Sequence, residues 1–398
     1  MEKKYRLLLD VIKCSIWERG EATADREVYE EMRLHGIIAL PGNILDRLAI
    51  PPELFQEWER CVVKRVFHYY RYKQAESQLP VTVPYVILKG TSAAQYYPYP
   101  ELRVLGDTDI MTRHEYYMRA CEMMVSGGYK EVTVESERRR GRHRSFAKGD
   151  FLVEVHSFFA SVTDPEQAKY LDDQIIENIT PSHILPDHVN GLVLLEHISQ
   201  HLRSGIGLRQ IIDWMMFVNQ FLQDENWPRF RDMAEKLGLE KLAIITTRMC
   251  EIYLGLPNRK WSQSANERIC EQFLFYILSG GSFGNKLTDD KSAGITVFVN
   301  MRNLKQTFRF LQDTGLNNWQ ACKKSPFLRR FAWLYQAGRF AFKGLKRAHA
   351  TEKLKEEYNE ALRRRAMFEG LGLKISNEGL VKYKDGEYFV EKNNYCTD

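Results

Sequence analysis

The chain has 398 residues, 44% of them apolar and 27% charged, and its net charge of +5 is the small difference between 57 basic and 52 acidic side chains. Those proportions belong to a folded globular protein of more than one unit and exclude a disordered polyelectrolyte. Seven scattered cysteines without a CxxC pair exclude a disulfide framework and a cysteine-built zinc site, and the absence of any apolar run of about 18 residues argues against a membrane span.

In chain order, residues 1–80 carry apolar positions at helical spacing ("YRLLLDVIKCSIW", "VYEEMRLHGIIAL", "LFQEWERCVVKRVFHYYRYKQ"), interrupted at Pro41 and at Pro51-Pro52. No hydrophobic leader forms at the start, because Lys, Asp and Arg break the apolar face, so a cytoplasmic location is expected. At "PVTVPYVILKG" the pattern changes to a β-branched run ending at Gly90, which predicts a buried strand. "TSAAQYY" predicts a short helix stopped by Pro98 and Pro100, "DTDIM" a strand, and "RHEYYMRACEMMVSG" a helix closed at Gly127-Gly128. "YKEVTVES" and "DFLVEVHSFF" predict two more strands.

The resulting β-α-β-α-β-β order over residues 83–160 implies a small mixed sheet with helices on one side. From Pro181 roughly six helical periods follow, and the last segment alternates around Lys384-Asp385-Gly386 as a hairpin would. The expected fold class is therefore α+β. A helical region over 1–80 leads into an α/β core over 81–180, then a larger helical region over 181–370 and a tail over 371–398.

Two local basic concentrations stand out. Five arginines lie within residues 138–144, expected in a hairpin loop that overhangs the sheet, and residues 323–365 hold 13 Lys or Arg against 4 Glu. Such fields attract phosphates, nucleic acid or an anionic membrane surface, although a solvated helix face accounts for the second equally simply. The aromatic spacing of "KKSPFLRRFAWLYQAGRFAFKGLKR" is that of a packed helix as much as of a membrane-docking one.

The chemistry concentrates in "VILKGTSAAQYYPYPELRVLGDTDIM". Residues i and i+2 of a strand share a face, so Asp107 and Asp109 project together, their Cα atoms about 6.6–6.8 Å apart. Two such carboxylates repel unless a cation compensates, and an unpaired buried carboxylate costs several kcal/mol. Glu154, the one acid in the run "FLVEVHSFF", has the same setting, with His156 on its face. Three acids on two strands form a seat for divalent metal, Mg²⁺ or Mn²⁺, together with a nucleotide, as phosphoryl-type transfer uses. An ion pair of the aspartates with Arg103 or Arg113 is the competing account.

Gly90-Thr91-Ser92 follows a strand and opens a helix, where backbone N–H groups and hydroxyls suit phosphate oxygens. It is neither a Walker A loop nor a dinucleotide fingerprint. Lys89 and Arg103 are candidates for a triphosphate or for internal salt bridges. His197 and His201 share a helix face. Their order does not fit a zinc protease, and a core or site-lining role with Arg209 and Asp213 paired on the next helix is expected.

These elements resemble the DNA polymerase β-like nucleotidyltransferase superfamily. More narrowly they resemble an uncharacterised bacterial nucleotidyltransferase family sharing the Leu-Lys-Gly step, R-x-x-G-D-x-D and H-x-x-x-H-x-x-x-G-x-x-x-R-Q-x-x-D. The likeness is carried by residues 84–216. It implies phosphate contacts at Gly90 and Thr91, with Lys89, Ser92 and Arg103 beside them, and metal ligation by Asp107 and Asp109. It gives Glu154 the role of a third acid that orients or deprotonates an acceptor hydroxyl. Read from their positions alone, His156, His197, His201 and Arg209 are candidates for the acceptor side or for a place behind the ligands. The implied reaction moves a nucleoside monophosphate from an NTP to a hydroxyl or phosphate of an unidentified acceptor, for which the basic clusters suggest an anion. A catalytically degenerate nucleotide-binding scaffold and a toxin-neutralising type of transferase acting on RNA or protein are the alternatives.

Overall fold

The computed structural model describes residues 1–134, 137–138, 141–160, 164–202 and 205–281, then 308, 311–312, 315–316, 318–323, 325–345, 350–373, 381–384 and 386–390. Arg139 and Arg140 of the basic cluster, Asp385 of the expected turn and Cys396 lie outside the described residues. The chain divides into two compact units, one of residues 1–286 with 378–398 and one of residues 287–377.

The first unit opens with helices α1 (Lys3–Trp17), α2 (Arg26–Leu34) and α3 (Pro52–Ser77). Asp25 caps α2 by accepting from the Val28 N–H, and Pro52 starts α3 where its missing N–H costs nothing. The sheet follows: β1 (Tyr85–Leu88), the one-turn α4 (Gly90–Ala94), β2 (Thr108–Thr112), α5 (Tyr117–Ser126), β3 (Lys130–Glu131), β4 (His143–Lys148) and β5 (Phe151–His156).

Its strand order is β1-β2-β5-β4-β3. β2 and β5 run parallel in the centre, with Asp109 opposite Glu154, and the other pairings are antiparallel. An α+β chain with a small mixed sheet is thus what forms. Two details differ from the sequence reading. The segment expected as an Arg-rich loop contains β4, because His143 to Lys148 alternates and pairs along the whole of β5, while the strand expected over 129–136 is only two residues long. The tight connection falls instead at Gly149, whose φ of +62° glycine accommodates freely.

Strand alternation gives the sheet two unlike faces. Ile110, Phe146, Val153 and Val155 point one way into a core with Ala120, Cys121 and Met124 of α5 and Tyr69 and Tyr72 of α3. Asp109, Glu154 and His156 point the other way. That second face is not open, as the one-sided expectation had it, since side chains from two further helices front it (below).

Those helices belong to the run α6 (Pro165–Glu177), α7 (Asp187–His201), α8 (Leu208–Gln220), α9 (Trp227–Lys236), α10 (Glu240–Leu254) and α11 (Glu267–Gly280). Asp164 caps α6, a helix the sequence reading did not assign, through the Glu166 and Gln167 N–H groups. α7 and α8 pack closely at Gly191, where a Cβ would lie 2.3 Å from Phe217 Cζ. The C-terminal hairpin forms as expected, β6 (Val381–Lys384) pairing antiparallel with β7 (Glu387–Val390).

The second unit contains α12 (Pro326–Arg329), α13 (Ala332–Leu345) and α14 (Ala350–Gly370). Leu316, Cys322 and Ala332 form its small core and Trp319 stacks on Tyr335, while Phe327 and Leu334 stay exposed. The aromatic spacing there is only partly core. No helix among the described residues is long and apolar enough to cross a membrane, and none of the described cysteines is disulfide-bonded.

Candidate active site

The polar face of the sheet closes a cleft of about 290 Å³. Asp107, Asp109, Glu154, His156 and His143 form its sheet side, Lys89, Gly90 and Gly106 its rim, and His197, Gln200 and His201 of α7 with Arg209 of α8 face them. Arg142 and Arg103 complete the lining. The register explains the acids: Asp109 and Glu154 are opposite on parallel strands, and Asp107 follows by the two-residue period just ahead of β2. Carboxylate oxygens of Asp107, Asp109 and Glu154 all lie within 4.8 Å of one another.

The charges are partly compensated from within. Lys89 Nζ is 2.9 Å from Asp109 Oδ1, and His156 Nε2 is 2.8 Å from the same oxygen and 3.5 Å from Glu154. Neither Arg103 nor Arg113 takes the aspartates, so the competing ion-pair account is replaced by Lys89 and His156. Lys89 is delivered by a backbone at φ +53°, ψ −139°, a left-handed conformation costly for any residue but glycine, and Gly90 follows at φ +41°.

Titration follows the crowding. The charge on Asp109, together with burial, pushes the Asp107 carboxyl up to about 6. Burial works against the Asp109 charge too, but Lys89 and His156 outweigh it and hold that carboxyl well below its ordinary value. Burial is likewise outweighed at Glu154, lowered by His156, and at His156, raised by Asp109 and Glu154. On the facing wall burial, with Lys89 and Arg209 adding to it, holds His201 down at about 4, and burial first drives His197 well below its ordinary value. That pair is neutral at physiological pH.

Other sequence candidates sit elsewhere. Thr91 Oγ1 donates to Glu76 at 2.8 Å, and Thr108 Oγ1 donates to the other oxygen of the same buried carboxylate at 3.0 Å. Neither Thr91 nor Ser92 is among the residues lining the cleft; both are buried, and the Thr91 hydroxyl is engaged by Glu76. Arg103 donates from Nε and Nη2 to Asp213, both at 2.7 Å, and Tyr97 adds its hydroxyl at 2.7 Å. Asp213 therefore pairs with Arg103 and not, as expected, with Arg209, which donates to the Val104 carbonyl at 3.3 Å.

The sequence flagged Arg142 only as one of the arginines of 138–144 and did not single out His143, because the run of arginines masked the alternation of β4. Arg142 donates to the Phe159 carbonyl at 2.7 Å, and its guanidinium and Lys89 Nζ both lie over the Phe159 ring, 5.6 and 5.4 Å from its centroid. Neither Arg142 nor Arg209 has a carboxylate partner among the described residues, and the Nε of each is a buried donor without an acceptor. Two such guanidiniums beside Lys89 suit an anion.

The cleft thus brings three converging carboxylates together with two guanidiniums, Arg142 beside β4 and Arg209 on α8, that have no carboxylate partner among the described residues. The family model described as an uncharacterised nucleotidyltransferase matches residues 22–255, well over half of the chain, and the chain belongs to that family. No curated protein and no solved structure matches the chain. The matched span contains every lining residue of the cleft. Nucleotidyltransferases generally use an NTP and a divalent metal, and the donor set fits one: three hard carboxylate oxygens in a cleft suit Mg²⁺ or Mn²⁺.

Proposed function

We propose that this chain is a polymerase β-like nucleotidyltransferase that moves a nucleoside monophosphate from an NTP to a hydroxyl or phosphate oxygen of an acceptor and releases pyrophosphate. The acceptor oxygen bonds to the α-phosphorus, the bond from that phosphorus to the bridging oxygen of the β-phosphate breaks, and the acceptor proton leaves through Glu154 or water. The observation that carries this reading is the convergence of Asp107, Asp109 and Glu154 within 4.8 Å inside the matched span.

Asp107 and Asp109 would hold Mg²⁺ or Mn²⁺, with Glu154 as third ligand. Bound there, the ion would supply charge neutralisation for the phosphates and a lowered pKa for an attacking oxygen. The protein's own groups do the rest. Lys89, on the cleft rim 2.9 Å from Asp109, would donate to a triphosphate oxygen, and the glycine backbone at Gly90 would admit the phosphate closely. Arg142 and Arg209 hold further anionic oxygens, and the neutral His197 and His201 line the acceptor side. Arg103, clamped by Asp213, keeps the R-x-x-G-D-x-D loop in place. The working units in this reading are a core over 81–180 between helical regions over 1–80 and 181–370, with a tail over 371–398, acting in the cytoplasm.

The test is the melting of the wild type and of Asp107→Asn/Asp109→Asn with each of the four NTPs, with and without Mg²⁺. A ligand at 100 times its Kd adds about 2.7 kcal/mol, a readily visible shift. One NTP is expected to stabilise the wild type only with Mg²⁺ and to leave the double variant unmoved. An equal response of both proteins removes the carboxylates from nucleotide binding, and nucleotide binding without any transfer to acceptors favours a degenerate scaffold.

A further inference from the structure

The sheet register that aligns the three acids also builds a second donor set. His143 of β4 lies directly opposite His156 of β5, with ring centroids 5.1 Å apart, and Glu154 precedes His156 by one strand period on the same face. One ring nitrogen from each histidine and a carboxylate oxygen of Glu154 all lie within 4.8 Å of one another. We infer that His143, His156 and Glu154 form a transition-metal site beside the carboxylate site, sharing Glu154 with it.

Hydrogen bonding leaves this set unfinished. Both ring nitrogens of His143 are buried without a hydrogen-bond partner, although Nε2 lies 3.5 Å from Glu154 and 3.7 Å from Glu137. His156 is 1% exposed, and its Nδ1 has no partner either. Buried imidazole nitrogens without partners are costly, and a metal ion satisfies one nitrogen of a ring by taking it as a ligand.

Two imidazoles and one carboxylate favour Mn²⁺, Co²⁺ or Zn²⁺ over Mg²⁺, because imidazole is a softer ligand than the oxygen that Mg²⁺ prefers. A bridging Glu154 would then set two unlike ions side by side, the spacing of two-metal centres being about 3.5–4 Å. The inference rests on the proposed function only for the neighbouring ion, and the two fail separately.

The probe is Co²⁺, titrated into the full chain after metal stripping and followed by its visible absorption, whose bands report nitrogen and oxygen ligands. The wild type is expected to show saturable bands. His143→Gln and His156→Asn are expected to weaken Co²⁺ binding at least about tenfold, since removing a ligand costs no less than removing the group behind one. Asp107→Asn should keep the bands. His143→Gln, which preserves side-chain bulk, should keep the far-ultraviolet circular dichroism and the cooperative urea unfolding of the wild type in metal-free buffer, which ties a loss of Co²⁺ to the site rather than to misfolding. Unchanged Co²⁺ affinity in His143→Gln, or bands that vanish with Asp107→Asn and persist without His143, overturns the inference. Loss of the NTP shift in Asp107→Asn/Asp109→Asn bears only on the carboxylate site.

Discussion

Asp107 sits beside Asp109 in a cleft that excludes much of the water, and its proton is the cheapest remedy in the absence of metal. Its carboxyl is pushed up to about 6 from the usual 3.8, so between those values the folded chain holds a proton that the unfolded chain releases. The contribution to stability is full below about 3.8 and lost as the pH rises through about 6. Asp109 and Glu154 are shifted down and act in the opposite sense: they stabilise above their ordinary values and lose that contribution as the pH falls.

A single variant isolates the first effect. In EDTA, Asp107→Asn is expected to be more stable than the wild type at pH 8, on the order of 1–3 kcal/mol, with the gap closing toward pH 4. Urea unfolding at the two pH values measures it, and an Asn variant that is less stable at pH 8 would contradict the repulsion. At this scale the sequence was informative about the acids, because a two-residue period fixes a shared face. It was silent on Lys89 as the partner of Asp109, which depends on a left-handed turn that no composition signals.

Between elements, the Arg103–Asp213 pair joins the loop ahead of β2 to α8 with two charge-assisted bonds and almost no exposure on either side. Burial works against the guanidinium charge, but Asp213 more than offsets it. Asp213→Ala leaves a buried cation without its counter-ion and is expected to cost about 3–5 kcal/mol, whereas Arg103→Met/Asp213→Leu, which removes both charges, is expected to cost far less. Chemical denaturation of the single and double variants decides this, and equal losses would mean that the pair contributes by shape rather than charge. The sequence paired Arg209 with Asp213 on one helix and left Arg103 to a triphosphate or an internal salt bridge with no named partner. Which arginine Asp213 takes was settled by the approach of a loop 110 residues away, beyond the reach of helical periodicity.

Across the whole first unit, the C-terminal hairpin returns to α6 and to the segment that follows β2. Tyr388 Oη donates to Asp172 Oδ2 at 2.6 Å, while Oδ1 of the same buried carboxylate accepts from the Phe159 and Ala160 N–H groups that follow β5. Tyr383 stacks on His114 with centroids 4.0 Å apart. Tyr388→Phe removes one donor from a buried carboxyl that burial already pushes up to about 6, and is expected to lower stability by about 1–3 kcal/mol. Calorimetry that finds no loss would mean that water replaces the hydroxyl. The hairpin itself was legible from alternation about an Asp-Gly step, but its docking site was not, since the contact closes over more than 200 residues of chain.

Local rules therefore determined most of the elements, the α+β class, the shared face of Asp107 and Asp109, and the carboxylate of Glu154 on its own strand. Periodicity of 2 and 3.6 residues is a property of neighbours in sequence, and it needs no tertiary information. Tertiary structure alone decided the parallel pairing of β2 with β5 that brings Glu154 opposite Asp109, the emergence of β4 from a run of arginines, and the turning of Thr91 and Ser92 away from the cleft. It also decided which cation neutralises which acid. Each of these depends on strand register and on charges meeting across long stretches of chain, where burial makes pairing worth more than local preference.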